Sequence, residues 1–306
     1  MSLHVLRPGL ACRIVDLGRP ATRSLGMPVG GAADQASLCL ANALLGNEPG
    51  AAALEVMLAG PRLVADAEHV GVFWGQGFDL KINHACYPVG KSFQLRAGDR
   101  LDLLATPAAA CGYLCLAGGF TAPELLGSRS ALAPITAGAV LAALPSRGAG
   151  RHAAIPPWCP PETPLRVLMG SHAEPRAWAQ FLKQEYTVLP DSNRMGIRLQ
   201  GENPLPLAAG ELVSAPVCPG TIQLPSSGQP IILGRDAQTV GGYPRLGHVI
   251  AADLDRLANL RPGAQVRFVG VSVAAAQALA QSRRGWLELW QVRLRLNAHL
   301  YPVTLV

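Results

Sequence analysis

Apolar and polar positions change places at short range along this chain. Leu80-Lys81-Ile82-Asn83 alternates one for one, and Phe93-Gln94-Leu95-Arg96 and Val266-Arg267-Phe268 do the same. A period of two sets the apolar side chains of a strand on one face. Turn residues bound these runs. Ala97-Gly98-Asp99 separates Phe93–Arg96 from Leu101-Asp102-Leu103 and predicts a hairpin, and Arg261-Pro262-Gly263 leads into the strand at Val266. The 33 glycines and 26 prolines punctuate the whole length. Many short strands with turn signals between them predict a sandwich or a barrel.

Three segments carry helical spacing instead. Asp34 is placed to cap a helix over Gln35 to Leu45, which ends at Gly46. Pro175 suits the first turn of a helix that carries Trp178, Phe181 and Leu182 at core spacing. Ser272 caps an Ala-rich helix expected to run to about Gln281, and the tail from Trp286 to Val306 is left without an assignment. The stretch from Ser146 to Pro164, with Arg147-Gly148-Ala149-Gly150-Arg151 followed by Pro156-Pro157-Trp158-Cys159-Pro160-Pro161, has the stiffness of a linker. The expected organisation is an N-terminal β-rich domain over residues 1–150 and a C-terminal barrel-type domain over residues 151–306.

Composition narrows the function classes. No apolar run approaches the ~20 residues of a membrane span. The start, Met1-Ser2-Leu3-His4-Val5-Leu6-Arg7-Pro8, lacks a basic segment followed by an apolar one, so a cytoplasmic location is expected. Seven scattered cysteines argue against a disulfide framework. Cys111 and Cys115 have no second pair or histidine nearby, and no metal site is expected. The net charge of +6 comes from dispersed arginines, and aromatics make up 5% of the chain. That pattern disfavours nucleic acid and favours anionic small molecules or an acidic partner.

The segment Asp191 to Tyr243 holds most of the candidate chemistry. Read as a strand, Asp191–Leu199 places Met195, Ile197 and Leu199 on one face and Arg194, Gly196 and Arg198 on the other. Two guanidinium groups with a glycine between them can clamp a carboxylate or phosphate. The same pattern also describes the solvated face of a strand. In Pro219-Gly220-Thr221-Ile222-Gln223-Leu224, Thr221 and Gln223 share a face. Ile231-Ile232-Leu233 reads as a buried strand, after which Asp236, Gln238, Thr239 and Tyr243 gather polar groups beside Gly241-Gly242. A hydrogen-bonded turn accounts for that cluster equally well. Gly30-Gly31-Ala32-Ala33-Asp34 is a glycine-rich entry to a helix, but no P-loop and no Gly-x-Ser-x-Gly elbow occurs.

Several blocks occur together in a fixed order: Asp16-Leu17-Gly18-Arg19, Gly30–Asp34, Ala41–Asn47, Leu54-Glu55, Ala117-Gly118-Gly119, Leu126-Gly127-Ser128-Arg129-Ser130, Ser192–Gly196, Pro219–Gln223 and Gln238–Pro244. On these blocks the chain resembles the allophanate hydrolase subunit 2 family, also called the biotin-dependent carboxyltransferase domain family. Val15, Ala131, Ala237 and Asn259 depart from the family's usual residues. The resemblance implies a mainly β fold with a few helices and a cyclophilin-like barrel. It implies a subunit 1-type partner, and the family includes the C subunit of bacterial 5-oxoprolinase, half of a urea carboxylase module and an antagonist of a sporulation-kinase inhibitor.

The resemblance further implies membership of an ATP-dependent 5-oxoprolinase that opens 5-oxo-L-proline to L-glutamate, with a LamB/YcsF-type protein as another component. ATP serves the complex, since this chain has no P-loop. Arg194 and Arg198 are expected to hold the substrate carboxylate. Asp236 is expected to act as general base or to orient water, with Thr239, Tyr243 and Gln223 bonding the amide and Asp16 and Arg19 completing the wall. The alternatives are transfer of a carboxyl group from carboxybiotin to urea or a related amide, which needs a biotin carrier, and a regulatory binding subunit with no turnover.

Overall fold

The computed structural model describes residues 1–148, 150–160, 162–206, 212–300 and 303–305. The chain is mainly β with few helices and divides into two compact units. The first comprises Met1–Arg19, Gly30–Pro156 and Trp286–Val306; the second comprises Pro20–Val29 and Pro157–Gly285. Two segments therefore lie outside a single cut at residue 150. The short piece 20–29 groups with the second unit, and the tail groups with the first. The expected linker is also shorter than its composition suggests. Ser146–Gly148 is a strand paired with Val303–Leu305, and Arg151 is buried, donating to the carbonyls of Leu44 and Ala298.

In the first unit a seven-stranded and a five-stranded sheet enclose one core. Leu3, Val5, Leu63, Leu101 and Leu103 enter it from the larger sheet, and Leu54, Val56, Phe73, Leu114 and Leu116 from the smaller. Helix α1, Gln35–Leu45, packs against the strands Cys111–Leu116 and His69–Gly75. The Asp34 carboxylate accepts from the Ser37 N–H, and Gly46 ends the helix at a φ of 80°. Both are the residues the sequence marks as caps.

The hairpin expected around Ala97-Gly98-Asp99 does not form. Its turn is present, with the Asp99 N–H donating to the Arg96 carbonyl. The two strands then go to different sheets: Ser92–Leu95 pairs with His69–Gly75, whereas Arg100–Ala105 pairs with Arg62–Ala65 and Phe78–Ile82. The turn is a corner between layers. Both strands bury an apolar face in the shared core, and alternation alone cannot say which neighbour each will take.

The second unit is built on one eight-stranded sheet in the order Gln265–Val266, Tyr186–Val188, Gly196–Gly201, Ile231–Leu233, Thr221–Gln223, Arg245–Val249, Leu165–Met169, Phe268–Gly270. The two end strands are neighbours in sequence, parted only by Arg267. Val266 pairs with Tyr186 on one edge, and Phe268 pairs with Leu165 on the other. One bent segment thus serves both edges and nearly closes the barrel. Helix α2, Pro175–Lys183, plugs it: Phe181 is fully buried, stacks on Phe268 at 4.5 Å and lies 5.5 Å from Tyr186.

Helix α3, Val273–Leu300, starts where expected, with the Ser272 hydroxyl accepting from Ala275 N–H. It runs past Gln281 and absorbs most of the unassigned tail. Gly285 is the sole glycine inside it, and a single interior glycine costs about 1 kcal/mol relative to alanine, too little to end a helix of this length. No helix among the described residues is long and apolar enough to cross a membrane.

Truncating Phe181 leaves a cavity against the closing strand. Phe181→Ala is expected to cost about 3–5 kcal/mol, read as a lower urea midpoint; a loss under about 1 kcal/mol contradicts this packing.

Candidate functional site

Strand Thr221–Gln223 lies in the middle of the barrel sheet, between Ile231–Leu233 and Arg245–Val249. Ile222 points into the core with Ile232 and Leu246. Alternation therefore turns Thr221 and Gln223 to the outer face. Both are nevertheless buried, at 5% and 1% exposure. A small ribbon, Ala215–Pro216 paired with Val240–Gly241, lies against Gln223, while Cys218 and His248 lie against Thr221. A Cβ built on Gly241 falls 2.6 Å from Gln223 Nε2, so glycine is the residue that lets the ribbon approach the amide. That Nε2 has no hydrogen-bond partner among the described residues. A buried amide donor left without an acceptor costs about 1–3 kcal/mol and stands out in a fold that satisfies nearly every other polar group.

The turn that feeds this strand brings three reactive groups together. The Thr221 N–H donates to the Cys218 carbonyl, and Cys218 N–H donates to Thr221 Oγ1. Cys218 Sγ lies 3.6 Å from that hydroxyl and 3.9 Å from His248 Nδ1, and the hydroxyl lies 3.4 Å from the same nitrogen. Thr221 and His248 sit opposite each other in register. Cys218 and His248 are absent from the expected site. Cys218 stands beside Pro219-Gly220, but no local spacing ties it to a histidine thirty residues later.

The arginines expected to clamp a carboxylate are placed otherwise. The strand begins only at Gly196; Asn193 and Gly196 exchange backbone hydrogen bonds, so Arg194 and Met195 are the two tip residues of a tight turn. Met195 is consequently 54% exposed and not in the core face. Arg194 does not share a strand face with Arg198. Its Nε and Nη2 meet the two oxygens of Asp236 at 2.8 and 2.9 Å, and the Asp236 N–H donates to the Arg194 carbonyl. A Cβ at Gly234 would lie 2.1 Å from that carbonyl, which fixes glycine there. Arg194 and Asp236, expected as substrate clamp and base, are each other's partner. Arg198 is exposed and pairs with Asp191 at 3.0 Å, a contact of little energetic weight. Thr239 is buried with its carbonyl bonded by Val217 N–H, and Tyr243 is half exposed at the far end of the ribbon.

Asp16 and Arg19 belong to the first unit and form a cluster of their own. The Asp16 carboxylate accepts from the hydroxyls of Ser128 and Ser130 and from the N–H groups of Gly18 and Arg129. Burial alone would raise its pKa, but those four donors outweigh it and hold the group below the usual range. Arg19 is buried and donates to the carbonyls of Leu125 and Ser130. Both side chains fasten the loop 125–130.

The glycine-rich entry to α1 does not fit a nucleotide phosphate. Asp34 already occupies the helix N-terminus, and a Cβ on Gly31 would strike the Leu17 and Gly18 backbone at 2.7 Å, so the glycines serve chain packing. Among the described residues no group of three or more His, Cys, Asp or Glu side chains is arranged to hold a metal ion.

Known proteins share this architecture and much of its sequence. Residues 25–270 match the family described as carboxyltransferase domain, subdomain A and B. The chain is 32% identical to the C subunit of 5-oxoprolinase from Escherichia coli over 95% of its own length and 98% of that protein. It is 32% identical to the protein of the same name from Haemophilus influenzae, covering 90% and 93%. Among solved structures, TTHA0988 superposes with a TM-score of 0.80 at 34% identity, over 88% of this chain and 56% of that one. The K. lactis urea amidolyase superposes with a TM-score of 0.85 at 26% identity, and the match spans 94% of this chain but 20% of that protein. The chain thus spans about half or less of these solved relatives.

The ion-pair and carboxylate geometry generates two expected outcomes. Asp236→Ala and Arg194→Ala are each expected to lower unfolding free energy by about 2–4 kcal/mol, because each strands a largely buried charge; a double variant close to the sum of the singles contradicts the pairing. Asp16→Asn is expected to cost about 1–3 kcal/mol at pH 7. The folded pKa of Asp16 lies below its unfolded value. Its stabilisation is therefore complete above about pH 4 and lost as pH falls through the folded value. Denaturation curves of parent and variant should converge at low pH.

Proposed function

The chain belongs to the family of carboxyltransferase domains with subdomains A and B, and from that footing we propose that it is the C-type subunit of a 5-oxoprolinase. The proposed reaction opens 5-oxo-L-proline to L-glutamate with ATP as co-substrate. Relatives bearing the name of that subunit match nearly their whole length, which supports membership of such a complex. A subunit 1-type protein and a LamB/YcsF-type protein are the proposed partners.

A lactam carbonyl is a poor electrophile because nitrogen donates into it. ATP, when bound by the complex, supplies activation of that oxygen; this chain's proposed part is to hold and orient the ring. The observation that carries the reading is the Gln223 amide, buried, without an acceptor and facing Gly241. A donor of this kind matches the carbonyl or carboxylate oxygen of a small polar substrate. Thr239 and Tyr243, on either side of the covering ribbon, are proposed to bond the same molecule. Asp236 is proposed to act through Arg194, holding the turn at the barrel end. Its bidentate pairing disfavours the role of free base.

Purified with its partners, the protein is expected to release glutamate from 5-oxoproline only when ATP is present. Gln223→Leu is expected to lower kcat/KM by about tenfold or more, the worth of one hydrogen bond to a polar substrate, with the complex still assembling. Glutamate release that is absent in every combination, or unaffected by Gln223→Leu, overturns the proposal.

The family model and the urea amidolyase relatives favour a second reading, transfer of a carboxyl group from carboxybiotin to urea or a related amide. It requires a biotin carrier in the complex, so an active complex that does not bind avidin excludes it. Stable association without turnover in any combination points to a regulatory subunit.

A further inference from the structure

We propose that Cys218 is a modification site, a thiolate nucleophile held by His248 and Thr221 that takes small soft electrophiles, hydrogen peroxide among them. This does not depend on the proposed reaction. Four of the seven cysteines, Cys12, Cys39, Cys111 and Cys115, are buried, and Cys159 is partly so; Cys218 and Cys86 are exposed. Cys218 differs from Cys86 in its surroundings. The 218–221 turn presses its sulfur against Thr221 Oγ1 and toward His248 Nδ1.

The position of the ring is built in. His248 is fixed by pairing with Thr221 across the sheet. Gly220, at a φ of 90°, lies beneath it: a Cβ there would stand 3.3 Å from His248 Nε2 and 2.5 Å from Leu254. The left-handed turn that aims Cys218 favours glycine, and a side chain at 220 would press on Leu254 and crowd the imidazole. The hydrogen bond from His248 is the largest influence on the thiol and lowers its pKa; burial opposes it, and Thr221, the charge of His248 and Arg23 add to it, bringing the group to about 7. Cys12, by contrast, is pushed up to about 12 by burial.

The step with peroxide balances simply. The thiolate attacks one peroxide oxygen, an S–O bond forms as the O–O bond breaks, and sulfur gives up two electrons while peroxide is reduced. The departing hydroxide takes a proton from solvent and leaves as water. The product is the sulfenic acid of Cys218.

The test is peptide-resolved alkylation of the full-length protein with iodoacetamide across pH 5.5–9.5. The expected midpoint for Cys218 is about 7. At pH 7 its rate should exceed that of a free thiol with a pKa of about 8.5 by about three- to fivefold, since a larger thiolate fraction is partly offset by lower nucleophilicity. In urea the two rates should become equal. His248→Ala should move the Cys218 midpoint upward toward about 8.5, and peroxide followed by a 1,3-dione probe should label Cys218 ahead of Cys86. A wild-type Cys218 midpoint near about 8.5, the value of a free thiol, or an unmoved midpoint in a folded His248→Ala variant, overturns the proposal. The wild-type profile decides the matter even if the variant does not fold.

Discussion

A sheet of short strands must not be left with open edges, and the second unit is organised around that requirement. Unpaired strand edges offer rows of N–H and C=O groups to any passing chain. Here the segment from Gln265 to Gly270 meets both edges by bending at Arg267. The aromatic group of Phe181, Tyr186 and Phe268 then packs behind that bend. Closure and core are therefore the same event. The strands that end in the candidate site are held at fixed register because the barrel has no freedom to slip.

A closed barrel has its apolar side chains inside, which normally leaves its outer face wet. Strand Thr221–Gln223 is an exception, with polar side chains outside the barrel yet shielded from solvent. The ribbon over Gln223 requires glycine at 241 for contact and creates a dry, polar layer. The polar groups of this unit fall into two kinds. Outside that layer, the Arg194–Asp236 pair is satisfied and rigid, and locks the turn at 193–196 to the loop after Leu233. Within it, the Gln223 amide keeps unused capacity. Substrate chemistry belongs with the second kind, because a group already bonded twice must break those bonds before it can act.

The same distinction governs the first unit. Asp16 and Arg19 have the residue types of a binding site, but each is saturated by the loop 125–130. That loop explains why the blocks at 16–19 and 126–130 occur together. Two positions more than a hundred residues apart must keep matched donors and acceptors, as when Ser130 bonds Asp16.

Local rules carried a good deal of this fold. Alternation and turn residues marked the β class, but the run Val266-Arg267-Phe268, which reads as one strand, is two strands parted at Arg267. Asp34 with Gly46 marked a helix with both its ends, and Pro175 with Phe181 the start and buried face of another, because capping and helical spacing act over a few residues. Gln223 was legible as a polar residue on a strand face. Pairing was not legible. Whether Arg194 faces a substrate or Asp236, which sheet receives Arg100–Ala105, and whether Cys218 has a histidine beside it are all questions of who lies opposite in space. Residues separated by thirty to more than a hundred positions answer them. Only the folded chain brings those partners together, since register across a barrel is fixed by the packing of all its strands at once and not by any one segment.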